Sequence, residues 1–241
     1  MWRRVRGFVG SERMWIVLGT AAGAIVGASG ATVVMRSNYA TNTPAQWLAV
    51  LALIGFTPGL LVSISLWLAL FVYWSVAPKS TAAIQSSESP QSRNIHVTLV
   101  HLAQLLILLP IPGLRVRFLP LWAPLVWLGL GFELASLVLA AWARRSLGRN
   151  WSGTIAAAAD QRFVQSGPYR QLRHPIYSGL LGMYLATALI SGEVHALAGL
   201  VLIAFAYWRK IGLEERHLRK EFGAAYEDYQ KTTAALIPGI F

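Results

Sequence analysis

Residues 121–143 read LWAPLVWLGLGFELASLVLAAWA and are followed at once by Arg144-Arg145. A bilayer core needs about 20 consecutive apolar residues. This run is longer than that and carries a single ionisable side chain, Glu133. Closed by two arginines, it reads as a membrane-spanning helix with its basic end at an interface. The composition of the 241 residues agrees: 55% are hydrophobic and only 13% charged, where soluble domains carry about 25% charge. Mean hydropathy is +0.50. There is no cysteine, which excludes a disulfide scaffold, thiolate nucleophiles, zinc-finger and Fe–S ligation and S-palmitoylation.

Outward from that stretch, five further apolar runs are legible at residues 14–35, 47–74, 96–111, 176–190 and 194–208. The first follows Arg3, Arg4, Arg6 and Arg13 and is too long for a signal-peptide core, so it is expected to stay as a helix. Gly19, Gly23 and Gly27 share one of its faces and allow close packing. Pro58-Gly59 predicts a kink inside the second run. Residues 75–93, rich in Ser, Pro and Ala, read as a flexible loop. The expected fold is all-α, a polytopic bundle of about six transmembrane spans. Residues 1–143 hold four of them, and 144–241 hold a long polar connection, a helical hairpin over 176–208 and an amphipathic helix over 209–229.

The net charge of +11 raises nucleic acid as a partner, but the cations sit in clusters between apolar runs and none is expected. With six spans and the N-terminus inside, 18 Lys and Arg fall on one side, while Arg36, Arg115 and Arg117 fall on the other. That asymmetry puts both termini and both large polar segments in the cytoplasm. Eight of the tryptophans, residues 2, 47, 67, 74, 122, 142, 151 and 208, stand mostly near span ends, as an interfacial belt requires.

Two polar stretches can carry chemistry. Residues 147–179 (LGRNWSGTIAAAADQRFVQSGPYRQLRHPIYSG) exceed ordinary loop length. Pro175 suits the first turn of a helix whose free N–H groups and positive dipole end lie beside Arg173 and His174, a place fit for a carboxylate or phosphate. The bland reading is a basic membrane anchor. Residues 209–229 (RKIGLEERHLRKEFGAAYEDY) space Leu218, Phe222, Tyr226 and Tyr229 for a helix face. Glu214 and Glu215 are adjacent acids there. Ordinary i,i+4 pairing such as Glu215–Arg219 is their bland reading, and with His217 they match no metal-binding spacing.

Taken in order, these parts resemble the isoprenylcysteine carboxyl methyltransferase family, which shares its pattern with phospholipid N-methyltransferases. The matching residues are Arg173-His174-Pro175-Ile176-Tyr177-Ser178-Gly179, Glu214-Glu215, Phe222-Gly223, Tyr226, Tyr229 and Pro238, with Phe163 to Tyr169 and Leu147 to Trp151 upstream. The resemblance covers about the last hundred residues. It implies an integral membrane methyltransferase that uses S-adenosylmethionine in a cytoplasm-facing C-terminal pocket.

Carried over by position, cofactor contacts would come from Gln161, Arg162, Phe163, Val164, Tyr169, Arg173, His174, Pro175, Ile176, Tyr177 and Glu214. The resemblance also places an acceptor-carboxylate cation at Lys210, beside Arg209, where the family has Arg. Lys is a point charge and not a planar fork. Gln161 stands where the family often has His. A carboxylate acceptor needs no general base; an amine or thiol would need one, and Glu215 or Tyr226 are the candidates. Glu133, within the fourth span, is expected to face the interior, as an acceptor-pocket residue or an interhelical hydrogen bond. The implied acceptor is a lipophilic or lipidated molecule, a prenylcysteine-like carboxylate first and a lipid amine next, reached from among the membrane lipids. A non-catalytic carrier or scaffold is the other class. Oligomeric state leaves no trace in the sequence.

Overall fold

The computed structural model describes residues 55–78, 85–86, 88–111, 113–151, 156–157 and 164–239. The expected first span with its glycine face, and most of the run before Pro58, lie outside the described residues. From Pro58 onward the chain forms one contact unit, and its described elements are helices except for one short strand pair.

Helix α1 is Pro58–Val76, α2 Pro90–Leu108, α3 Ala123–Leu147, α4 Pro175–Ser191, α5 Val194–Phe222 and α6 Ala224–Thr232. Strand β1 (Gln85–Ser86) pairs antiparallel with β2 (Ala156–Ala157). Of these helices, α1, α3 and α5 are long and apolar enough to cross a membrane, and α4 is a shorter apolar helix. The chain is a helical integral membrane protein.

Three sequence expectations change. Pro58 opens α1 after a turn in which Gly55 has φ 105°; a first-turn proline sacrifices no hydrogen bond, so no kink is needed. The third run starts six residues early, at Pro90, because Ser89 caps α2 by accepting from the Ser92 N–H and satisfies an otherwise orphaned donor. No separate amphipathic helix begins at residue 209. Helix α5 runs on from the apolar stretch to Phe222, stops at Gly223 with φ 52°, and α6 follows it among the described residues.

Helix α3 packs along α4, and α2 along α5. Both contacts rest on small residues. A Cβ on Gly179 would lie 2.7 Å from the Ser136 carbonyl oxygen and 2.8 Å from Ala140 Cβ; one on Gly199 would lie 2.9 Å from the Ala103 carbonyl oxygen. Val100, Ala103 and Ile107 of α2 meet Tyr184 of α4 and Ile203, Ala206 and Tyr207 of α5 in the main core. Outward faces stay apolar: Trp127, Leu128, Val201 and Trp208 are about 70% exposed. Apolar outside and close-packed small residues inside is the pattern of a bundle solvated by lipid.

Polar residues of the interior form two clusters, although Glu133 Oε2 has no hydrogen-bond partner among the described residues. Glu133 is fully buried, and its Oε1 accepts from Ser63 (2.8 Å) and Thr187 (3.2 Å), while Trp67 donates to Thr187 (3.0 Å). Helices α1, α3 and α4 are thereby tied together. At the α4–α5 turn, Glu193 is buried between Arg115 (3.4 Å), Arg117 (3.9 Å) and His195 (2.6 Å). The Phe118 and Val194 N–H groups bond across this turn to Gly192 and Val116.

Candidate active site

Four segments meet where α4 begins. Gly167, with φ 61°, starts a single 3-10 turn through Arg170 that leads into Arg173, His174 and Pro175. The second segment is the polar part of α5, carrying Lys210, Glu214 and Glu215. Helix α6 is the third. The fourth is residues 233–236, which run beside 171–174: the Arg173 N–H bonds to the Ala234 carbonyl (2.8 Å), the His174 N–H to Ala235 (3.1 Å) and the Ala234 N–H to Gln171 (3.0 Å). Ser178 Oγ donates to the Leu236 carbonyl (2.6 Å). The N–H groups of Arg173 and His174, just before the helix, are therefore satisfied by the chain's own C-terminal segment. Tyr229 completes the closure by donating to the carbonyls of Tyr169 (2.6 Å) and Leu172 (3.2 Å).

Arg173 and Glu215 form the lock of this assembly. Arg173 Nε donates to Glu215 Oε1 (2.9 Å), and its Nη1 reaches the carbonyls of Gln230 (3.1 Å) and Thr233. Glu215 also lies 3.2 Å from His174 Nε2 and accepts from Gln230 at 3.1 Å. The bland i,i+4 pair with Arg219 is not what holds Glu215; Arg219 contacts Gln230 instead. Burial alone would raise the Glu215 carboxyl, but the His174 and Arg173 hydrogen bonds and charges outweigh it and bring it down to about 2.

A depressed folded value makes the stabilisation complete above the ordinary carboxyl range. It then declines as pH falls below about 4.5 and is gone once pH passes about 2. The thermal midpoint of the detergent-solubilised protein is accordingly expected to drop across that window, with a flatter profile for Glu215→Gln. Equal slopes for the two proteins would contradict the assignment.

Glu214 is placed differently. Its Oε1 accepts from the Tyr177 hydroxyl (2.6 Å), its Oε2 stands 3.7 Å from His174 Nδ1, and a quarter of the side chain remains exposed (26%). A carboxylate with a fixed orientation and free acceptor capacity fits an amine or a ribose diol. Tyr177 lies between the rings of His174 (5.8 Å) and Tyr207 (5.0 Å), so the hydroxyl that orients Glu214 is itself held by ring packing. Tyr169 is buried in the adjoining turn, and burial with the nearby Glu214 charge raises its hydroxyl above the ordinary value. Val164 is partly buried before that turn, and Ile176 is partly buried in the first turn of α4. Gln161, Arg162 and Phe163 lie outside the described residues.

The acceptor candidates divide. Lys210 is one turn before Glu214 on the same face of α5, but its Nζ is 2.6 Å from Glu88 Oε2, and the two side chains are 7% and 2% exposed. Burial would raise the Glu88 carboxyl; the bond and charge from Lys210 outweigh it and hold it below its ordinary value. Arg209 donates to Ser92 Oγ (2.8 Å), and Ser92 donates to Glu88 (2.9 Å). Glu133 belongs to the interhelical network; its partner Thr187 is ten residues beyond Tyr177, about 15 Å along α4.

Neither nominated base suits the role. Burial and the Glu215 charge raise the Tyr226 hydroxyl, and Glu215 itself is held low. A general base works best with a value near the operating pH.

Sequence reasoning missed Glu88, Ser92, Gln230 and the carbonyls of residues 233–236. One signal was present: Glu88 is the single acid in the 75–93 segment, while the facing segment is basic. Backbone carbonyls leave no sequence signal. Trp74 and Trp151, assigned to the interfacial belt, instead flank fully buried Arg144, whose guanidinium carbon is 4.2 Å from the Trp151 ring and 5.9 Å from that of Trp74.

Residues 124–225 match the family described as Phospholipid methyltransferase. Over 75 residues the chain is 39% identical to Methanethiol S-methyltransferase 2 of Bradyrhizobium diazoefficiens, covering 30% of this chain and 27% of that one. It is 33% identical over 113 residues to the Protein-S-isoprenylcysteine O-methyltransferase of Schizosaccharomyces pombe, covering 45% and 48%. Against Protein-S-isoprenylcysteine O-methyltransferase B of Arabidopsis thaliana the identity is 26% over 134 residues, covering 53% and 64%. The matches thus span between about a quarter and two thirds of these curated relatives. A solved structure of the eukaryotic intramembrane Ras methyltransferase ICMT aligns over 92% of this chain and 86% of that one, with a TM-score of 0.48 and 20% identity; at that distance it carries no comparison of sites.

Proposed function

We propose, from a chain whose C-terminal half carries the pattern of phospholipid and isoprenylcysteine methyltransferases, that this is an integral membrane methyltransferase. It moves a methyl group from S-adenosylmethionine to a lipophilic acceptor, with a prenylcysteine-like carboxylate first among acceptors. One observation carries the reading. Glu214 meets Tyr177, 37 positions earlier, and its neighbour His174 at the start of α4, a partly exposed carboxylate against two aromatic rings.

In this reading Glu214 holds the cofactor's amine or ribose hydroxyls, and Tyr177 fixes the orientation of Glu214. Tyr169, Val164 and Ile176 line the pocket, and the sequence resemblance adds Gln161, Arg162 and Phe163 to the cofactor contacts. The Arg173–Glu215 lock keeps the site closed to water, a condition that strengthens every charge interaction within it. When bound, S-adenosylmethionine supplies a methyl already activated on sulfur, so transfer to a carboxylate oxygen breaks one S–C bond, forms one O–C bond and moves no proton. The chain's share is orientation and desolvation.

The low Glu215 and raised Tyr226 favour an acceptor that arrives ionised, hence a carboxylate over an amine. The identity to a methanethiol S-methyltransferase favours a thiol as second reading, and the bond formed separates the two, since a methyl ester is base-labile. The charge asymmetry favours a cytoplasmic site and cytoplasmic termini.

Calorimetry with the detergent-purified protein tests the cofactor assignment. Binding of S-adenosylmethionine in the micromolar range is expected, with loss in both Glu214→Ala and His174→Ala. A well-folded wild type that does not bind would end the methyltransferase reading and bring the carrier or scaffold forward.

A further inference from the structure

The Glu88–Lys210 pair is unusual in its setting. Both side chains are almost wholly buried, and the contact is 2.6 Å. It joins the segment leading into α2 to the polar part of α5, one turn from Glu214. Around it are Ser92, donating to Glu88, Arg209, donating to Ser92, and the ring of His96, 6.0 Å from that of Tyr207. Tyr207 in turn touches Tyr177. The pair therefore adjoins the proposed cofactor pocket through a continuous aromatic contact. Lys210 here does bind a carboxylate, and that carboxylate is the chain's own.

We propose that Glu88 is the specificity-determining residue of the acceptor site: it occupies the carboxylate position at Lys210, and an acceptor carboxylate enters by exchange with it. This rests on the methyltransferase reading above. The charge balance supports exchange over simple addition. A buried ion pair is neutral, so a carboxylate placed beside it meets the Glu88 carboxylate, and Arg209, the neighbouring cation, is engaged with Ser92. Replacing Glu88 by another carboxylate leaves the buried charge unchanged. The cost of bringing Glu88 out is then a toll on every carboxylate acceptor, and acceptors without a carboxylate do not incur it.

The test is steady-state methylation of an S-prenylated cysteine with a blocked amine and free carboxylate, run beside S-adenosylmethionine binding. Glu88→Gln leaves Lys210 unpaired, and the acceptor KM is expected to fall about tenfold, with cofactor affinity unchanged. The corresponding methyl ester, used as an inhibitor, should bind Glu88→Gln and wild type equally. Adding Lys210→Gln to Glu88→Gln should abolish the gain.

Because Glu88→Gln leaves a buried cation and can impair folding, Ser92→Ala is the second variant. It keeps both charges and removes one anchor of Glu88, and the acceptor KM should fall about twofold to threefold. Retained cofactor binding with an unchanged or raised acceptor KM in both variants would make Glu88 a structural clamp and overturn the proposal. Failure of the wild type to bind S-adenosylmethionine would overturn the underlying reading, and the proposal with it.

Discussion

Arg173→Ala is expected to destabilise the protein by about 3–5 kcal/mol, the range for removing one member of a buried charge pair, and to abolish cofactor binding. The side chain is 10% exposed and Glu215 15%, so water does little to replace the lost contact. One guanidinium holds three separate pieces together: Glu215 of α5, the Gln230 carbonyl of α6 and the Thr233 carbonyl beyond it. Loss of that fork leaves the Glu215 carboxylate with only His174 and Gln230 and frees residues 233–236 from the start of α4. Arg173→Lys keeps the charge but cannot reach three directions at once, so it should recover less than half of the loss. Thermal unfolding of wild type and both variants in one detergent measures this. An Arg173→Ala midpoint equal to wild type would show that the lock is not where the geometry puts it.

The second large effect is expected at Gly179. A Cβ there would lie 2.7 Å from the Ser136 oxygen and 2.8 Å from both the Ala140 nitrogen and Cβ. Two of those atoms are backbone of α3 and cannot rotate away. Gly179→Val must push α3 from α4, at a cost of about 1–3 kcal/mol or more. It also shifts the first turn of α4, where Tyr177 supports Glu214, so cofactor affinity should fall along with stability. Gly131→Ala is the control. A Cβ at that position meets nothing within 4 Å, and an alanine in a helix interior is favoured over glycine by about 0.5–1 kcal/mol. Comparable destabilisation by the two substitutions would mean that backbone entropy, not helix contact, governs both.

The membrane class was legible because hydropathy acts locally: the run at 121–143 gives a helix apolar enough to cross a membrane whatever surrounds it. The 173–179 and 214–215 segments were legible as a candidate site because each carries its side-chain types at the spacing of a known pattern. What those side chains touch was not. Glu215 faced two partners by sequence, Arg219 one turn away and anything tertiary, and only the fold brings Arg173 across 42 positions to it. Lys210 presented itself as a free cation because Glu88 is 122 positions distant. The pairing of residues 234 and 235 with the Arg173 and His174 N–H groups left no trace, because it is made through carbonyls that any residue carries. The helix break was misplaced for a related reason. The change from apolar to polar at Trp208 marks a change of surroundings, whereas the backbone continues until Gly223 permits a positive φ.

That continuity fixes a phase. Residues 210 and 214 are carried on one unbroken helix, a turn apart, so neither can be translated or rotated against the other. A single residue inserted between them would turn one about 100° away from the other, separating the cation proposed for the acceptor side from the carboxylate proposed for the cofactor side. Length changes in this short interval are therefore forbidden, however freely the loops vary. Under the proposed function, any accommodation of a differently shaped acceptor has to be made by the segments that face α5, while α5 itself serves as the fixed scale against which both reacting partners would be set.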